Sequence, residues 1–209
     1  MIYHPKTLSQ LETRFRANLI NSLGGFKSLV LIGTKSIQGN ENLALFSSLF
    51  HIGANPALCG MVIRPNEVSE NTLGNILNTK IYTVNHVLPS FYPAAHQCSA
   101  KYPAGTSEFE KVGLNAEYSD SIEAPFVQQS TIKFACEMVQ KIDIDLNQTT
   151  LIIGKIIRII VPDICIGNDG FIDLESAKSI TCSGLDSYHT TTKLARLSYA
   201  KLDVPPLEI

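Results

Sequence analysis

The 209-residue chain has no basic excess: 17 lysines and arginines stand against 19 aspartates and glutamates. That balance argues against a nucleic-acid binder, though it leaves room for a local basic pocket. There is no C-x-x-C pair, and the five cysteines, at 59, 98, 136, 165 and 182, are odd in number. A disulfide framework is therefore not expected; free, buried thiols in a reducing compartment are. His96 and Cys98 can share one face of a strand, but no second pair completes a zinc site, so no metal is expected. The longest apolar run, "LIIGKIIRIIVP", is broken by Lys155 and Arg158 and is too short to span a bilayer. The opening "MIYHPKTLSQLETRF" has no apolar signal core. A cytoplasmic protein without a membrane partner is the expectation. G-x-S-x-G, Walker, G-x-G-x-x-G and H-E-x-x-H motifs are all missing. An enzyme without them must take its chemistry from a cofactor.

What is present reads as one folded domain over 1–209, with 44% hydrophobic and 17% charged residues. Leu8, Leu11, Phe15, Leu19 and Leu23 predict a helix over 8–23, opened by a Ser9–Glu12 capping box and stopped by Gly24-Gly25. Strands are predicted over 27–34, at "LALF", over 57–64 and over 80–87. Residues 69–78 read as a short helix, and Ser107 with Glu110 as a second capping box. Ile132, Phe134, Cys136 and Met138 take one face of a long strand, with Thr131, Lys133 and Glu137 on the other; 149–162 is a second long strand. Long strands without helices between them predict an antiparallel sheet or barrel.

Two places carry polar groups that need explaining. Ser47-Ser48 sit inside the apolar run "NENLALFSSLF". Either they bond the backbone locally or they face something polar that is not protein. Arg64 ends a strand, and Ser69 and Thr72 open a helix, where N–H groups and the dipole favour an anion. These residues are either a phosphate grip or simply a cap beside a surface charge.

The ordered blocks "NENLALFSSLF", "NPALCGMVIRPNEVSENTLGNIL", "KYPAGTSEFEKVGL" and "APFVQQSTIKFACEM", followed by "TTLIIGKIIRI" and "DGFIDLESAKSITCSGLDSYH", span about 30–190. Together they resemble the flavin reductase-like, FMN-binding split-barrel family, in its flavoredoxin-like branch. The resemblance implies a mainly β fold, a six-stranded Greek-key barrel with peripheral helices, and a homodimer with FMN near the interface. It implies that Asn42, Leu43, Ala44, Ser47 and Ser48 line the flavin ring. Arg64, Ser69 and Thr72 would hold the phosphate, helped by Asn75. Tyr188 and His189 would approach the flavin. The family's Asp-Thr helix motif is Asn71-Thr72 here, and Gln148-Thr149-Thr150 stand where many relatives carry a histidine before the second long strand. That departure bears on NADH or NADPH as electron donor. The implied activity is an FMN oxidoreductase passing hydride or electrons from a reduced nicotinamide or protein donor to flavin or another acceptor. The alternatives are a non-enzymatic electron carrier with an electron-transfer partner, and a split-barrel binding module without flavin. Because the flavin itself carries the electrons, no catalytic side chain is assigned.

Overall fold

The computed structural model describes residues 1–65, 72–103 and 105–209. The helix expected over 8–23 is in fact two: α1 (Pro5–Gln10) and α2 (Thr13–Ser22). The carboxylate of Glu12 accepts the N–H groups of Arg14 (2.9 Å) and Phe15 (2.8 Å), so Glu12 caps a new helix instead of sitting inside an old one. Ser9 turns its hydroxyl to the Lys6 carbonyl, and the expected box with Glu12 does not close.

The strands follow as β1 (Lys27–Ser28), β2 (Val30–Lys35), β3 (Glu41–Phe46), β4 (Phe50–Ala54) and β5 (Ala57–Ile63). Then come α3 (Thr72–Thr79), β6 (Ile81–His86), α4 (Tyr92–Gln97), α5 (Glu108–Val112), β7 (Ala116–Ser119) and β8 (Ile122–Val127). β9 (Lys133–Ile144), β10 (Thr149–Ile160), β11 (Thr181–Ser183) and β12 (Ser187–His189) complete the order. Of the helix expected over 69–78, Thr72–Thr79 is α3; Ser69 lies outside the described residues. His96 and Cys98 sit on α4 and at its C-cap, not on a strand.

β3-β2-β6-β9-β10-β5-β4 form one antiparallel sheet of seven strands, one more than expected. The additional strand is β4, which is short and largely exposed, so it lacks the alternation that marks a half-buried strand. The chain passes from edge strand β3 to edge strand β4 through residues 47–49 alone. Laid flat, seven strands would separate those edges by about 29 Å. The four Cα steps from Phe46 to Phe50 span at most about 15 Å. The sheet must therefore curl until its edges approach, and Ser48 fastens the join. Its hydroxyl donates to the Val62 carbonyl (2.8 Å) and accepts the Val62 N–H (3.2 Å).

Inside the curl, Val30, Ile32, Met61, Tyr82, Val84 and Ile152 form one apolar cluster. A Cβ at Gly154 of β10 would fall 2.0 Å from the Tyr82 hydroxyl, so glycine is what admits that ring. The same gap lets Cys59 and Cys136, on the strands either side, bring their sulfurs to 3.6 Å. A second cluster, with Leu29, Leu31, Leu43, Phe91 and Phe109, packs α4, α5 and β11 against the other face.

The β7–β8 hairpin is tied to the sheet by buried polar groups. Asn85 donates to the Leu31 carbonyl (3.1 Å) and Thr83 hydroxyl (3.0 Å) and accepts the Val127 N–H (2.9 Å). Thr83 in turn donates to the Pro125 carbonyl (2.5 Å). That carbonyl lies 2.1 Å from where a Gly33 Cβ would stand, so Gly33 is required for the hairpin's close approach.

Candidate functional site

The edge strand β3 brings several predicted residues together. Asn42 donates through its amide to the hydroxyls of Thr34 and Thr72, each at 3.1 Å. Asn75, one turn along α3, donates to the same Thr34 hydroxyl at 3.1 Å. Asn42, Thr72 and Asn75 thus form one polar knot with Thr34 at its hub; Thr34, Thr72 and Asn75 are all buried. Thr34 is missed at the sequence level, because a threonine inside a β-branched strand reads as ordinary core.

Leu43 faces inward and is fully buried. Its backbone points the other way, and its N–H donates to the Glu108 carboxylate of α5 at 2.9 Å. Because bonding alternates along an antiparallel strand, the Leu45 N–H and carbonyl also face the free side of β3. They have no hydrogen-bond partner among the described residues. Ala44 is half-buried and paired opposite Ile32.

At the far end of β3, Ser47 lies beside the Cys182 thiol of β11. Opposite Cys182 stands Tyr188 of β12. The Tyr188 hydroxyl is hydrogen-bonded to His96 Nδ1, and its ring lies 5.4 Å from that of Tyr92. His189 shares Nε2 between the hydroxyls of Ser183 (2.9 Å) and Ser187 (3.1 Å) and packs edge-on to Phe26. Arg64 is exposed just beyond β5 and donates to Asn21 Oδ1 on α2 at 3.0 Å. Ser48 is committed to the Val62 backbone, so the polar object it faces is protein.

Glu108 is the other residue missed at the sequence level. Ser107 takes the N-cap position of α5, but its hydroxyl makes no capping bond and is buried without a partner among the described residues. The Ser107–Glu110 box is therefore not formed, and Glu108 reaches across to β3 instead. A polar cavity of about 40 Å³ lies here, lined by Asn42, Asn75, Thr106 and Glu108 among others. A larger one of about 610 Å³ lies across the 36–40 turn, beside Lys35 and Tyr118.

Burial raises the Glu108 carboxyl above its ordinary value of 4.5, and the Leu43 N–H only partly opposes this. The folded state thus holds the proton more tightly than the unfolded one. The stability this contributes is full below pH 4.5 and is lost as pH rises through the raised value. Glu108→Gln removes the titration. Relative to this variant, the wild-type melting temperature should fall as pH rises from about 4.5 to about 7.5, measured by thermal unfolding across that range. Parallel curves would show that Glu108 does not titrate in this way.

Burial pushes the Cys98 thiol up to about 12, with the charge of Glu108 adding to the effect. Burial and the neighbouring Glu108 thus favour the protonated thiol at Cys98. No three or more His, Cys, Asp or Glu side chains converge to hold a metal among the described residues. No helix among them is long and apolar enough to cross a membrane.

The curled sheet with an open edge, and a polar knot beside that edge, define a split-barrel protein. The model of the flavin reductase like domain matches residues 23–168, and the chain belongs to that family. A split-barrel protein of Shewanella frigidimarina NCIMB 400, classed with the flavin reductases, is 48% identical. It superposes with a TM-score of 0.92 over 96% of this chain and 100% of its own. An uncharacterised protein of Aquifex aeolicus is 25% identical over 152 residues, 71% of this chain and 76% of that protein. Flavoredoxin of Desulfovibrio vulgaris (Miyazaki F), at 17% identity, shares the fold with a TM-score of 0.72 over 82% of this chain and 91% of its own.

Proposed function

We propose that this chain binds FMN along the free side of β3 and acts as a flavin oxidoreductase. It would pass hydride or electrons from a reduced nicotinamide or protein donor to flavin or another acceptor. The observation that carries the reading is the open backbone edge at Leu45, set between the Asn42–Thr72–Asn75 knot and Tyr188. A flavin ring has apolar faces and a hydrogen-bonding rim, and a half-buried strand edge matches such a rim. The family assignment supports a flavin; FMN is the reading proposed here, with the hydroxyl and amide groups of the knot at the helix start placed for its phosphate.

Bound there, the flavin would supply the two-electron chemistry. The chain's own residues do the rest. Asn42 and Ala44 set the position of the edge, and Glu108 fixes the Leu43 backbone beside it. Thr72 and Asn75 would hold the phosphate end with Ser69, and Tyr188 would border the ring. Ser47, half-buried at the end of the strand, is left to approach the ring, whereas Ser48 holds the barrel closed.

The protein-donor form of the reading, an electron carrier in the manner of flavoredoxin, is favoured by one observation. At the β9–β10 turn, Thr150 is bonded to Asp143 (3.0 Å) and Thr149 to Asn147 (2.8 Å). These side chains satisfy one another and offer a nicotinamide no imidazole. We further propose that the protein works as a homodimer, because Ile157 and Ile159 of β10 and Phe50 of β4 lie exposed on the outside of the curl.

Purified protein should be yellow, with flavin absorbance. Bleaching by NADH or NADPH alone supports the reductase. Bleaching only by dithionite or an electron-transfer protein supports the carrier. A colourless protein that takes up no added FMN ends the proposal. Arg64→Ala should weaken FMN binding about 10- to 100-fold if the guanidinium leaves Asn21 for the phosphate, as for a charge-assisted bond. An unchanged dissociation constant would restrict Arg64 to tying α2 to the barrel.

A further inference from the structure

We propose that residues 190–209 form an arm that docks on a second copy of this chain. This rests on the two-copy assembly proposed above. The segment folds back on itself: Ser198 N–H donates to the Leu207 carbonyl (2.8 Å) and Ile209 N–H to the Arg196 carbonyl (3.0 Å), with bridges at Leu197–Glu208 and Lys201–Val204. Its root is fixed to the body. Arg196 pairs with Asp169 and lies 4.1 Å from the Phe171 ring centre, and Lys193 pairs with Asp173 at 3.6 Å.

Beyond that root the arm touches little. Leu194 is 99% exposed, Leu202 90%, Tyr199 88%, and Leu207 and Ile209 69% each. Two short paired strands are marginal in water on their own, and this pair has its large apolar groups in solvent. Removing such side chains from water is strongly favourable, so the arm is built to be covered. Its own barrel does not cover it.

The same chain presents a matching surface. On the outer face of the sheet, Ile142, Ile157 and Ile159 are 39%, 41% and 58% exposed, and Phe50 44%. A stable interface takes about 20–30 residues a side, more than this sheet patch alone supplies. Residues 190–209 make up the difference, and in a two-fold pair each arm would cross the other's sheet. Charge agrees with this partner. Asp169 and Asp173 neutralise the basic groups at the root, which leaves Lys201 with Asp203 and Glu208 at the free end. An acidic tip is wrong for an anionic lipid surface or a nucleic acid. On the outer sheet face Lys155 stands directly across from Glu137 of β9, so that face carries no net charge there against which an acidic tip would be repelled.

The full-length protein is to be compared with a Tyr199→Asp/Leu202→Asp variant by light scattering and by sedimentation over a concentration series. The wild type is expected to be a dimer, and the variant's dimer dissociation constant to rise roughly 100-fold or more, as for the loss of buried apolar anchors. Ile159→Asp on the sheet should have the same effect. Circular dichroism of each variant at low concentration should match that of diluted wild type, because these side chains are exposed in a single copy. A dimeric wild type with an unchanged constant in the arm variant would overturn the arm and leave the dimer standing. A wild type that is monomeric throughout would overturn both.

Discussion

Asn85→Ala is expected to lower the free energy of unfolding by about 4 kcal/mol, the consequence of stranding several buried polar groups together. The residue is fully buried, and its amide serves the Leu31 carbonyl, the Thr83 hydroxyl and the Val127 N–H at once. Alanine fills none of those roles. Each group left without a partner in the interior costs about 1–3 kcal/mol. Partial relaxation brings the total below the simple sum. The Val127 end matters most for the architecture, because it holds β8 over Gly33, where a side chain would collide with the Pro125 carbonyl. Urea unfolding should show a lower midpoint with an unchanged slope. A loss under about 1 kcal/mol, no more than one ordinary hydrogen bond, would mean that the hairpin is held by its apolar contacts and not by this amide.

Thr34→Val should be the most damaging conservative change at the candidate site. Valine matches threonine in shape but removes the hydroxyl that receives both the Asn42 and the Asn75 amides. Two buried or half-buried N–H donors then lose a partner, at about 2–4 kcal/mol of stability. The knot also fixes Asn42 and Thr72 relative to each other, so FMN affinity should fall about tenfold or more, the equivalent of one misplaced hydrogen bond. Flavin titration followed by fluorescence separates this from plain destabilisation when done well below the melting temperature. The comparison is Thr34→Ser, which keeps the hydroxyl and should recover the affinity. If valine and serine bind FMN equally, the knot is structural only and the phosphate lies elsewhere.

Much of the barrel could be read in the sequence because its strands are runs rich in β-branched and apolar residues: β10 alternates in burial, whereas β2 and β6 are buried on both faces. The 27–34, 80–87 and 149–162 segments contain strands, and Phe134, Cys136 and Met138 of β9 reach the same apolar cluster, but Ile132 precedes the strand and packs with Cys165 and Ala177, and Lys133, expected on the polar face, is buried against Glu117. β4 was not legible because its residues are largely exposed and carry no alternation. The break between α1 and α2 was not legible either: apolar spacing continues through Leu11 and Leu19, and only the capping choice of Glu12 divides the helix. The site was half legible. Asn42, assigned by the resemblance to the ring, and Thr72 and Asn75, assigned to the phosphate, prove to share one hydrogen-bonded knot, which Thr34 joins from a neighbouring strand. Glu108 arrives from 65 residues away to meet the Leu43 N–H. Ser48 shows the same limit, because its partner Val62 is fixed by the closure of the sheet and not by any local pattern.

All five cysteines are buried and unpaired. On the proposed flavin function, this concerns oxidative wear. Reduced flavin exposed to air yields hydrogen peroxide, whose first protein targets are accessible thiolates. Here the thiols are shielded by burial, and Cys98, beneath the candidate site, is held in the protonated form. Such a chain could work beside its own source of peroxide without spending its sulfur as a scavenger.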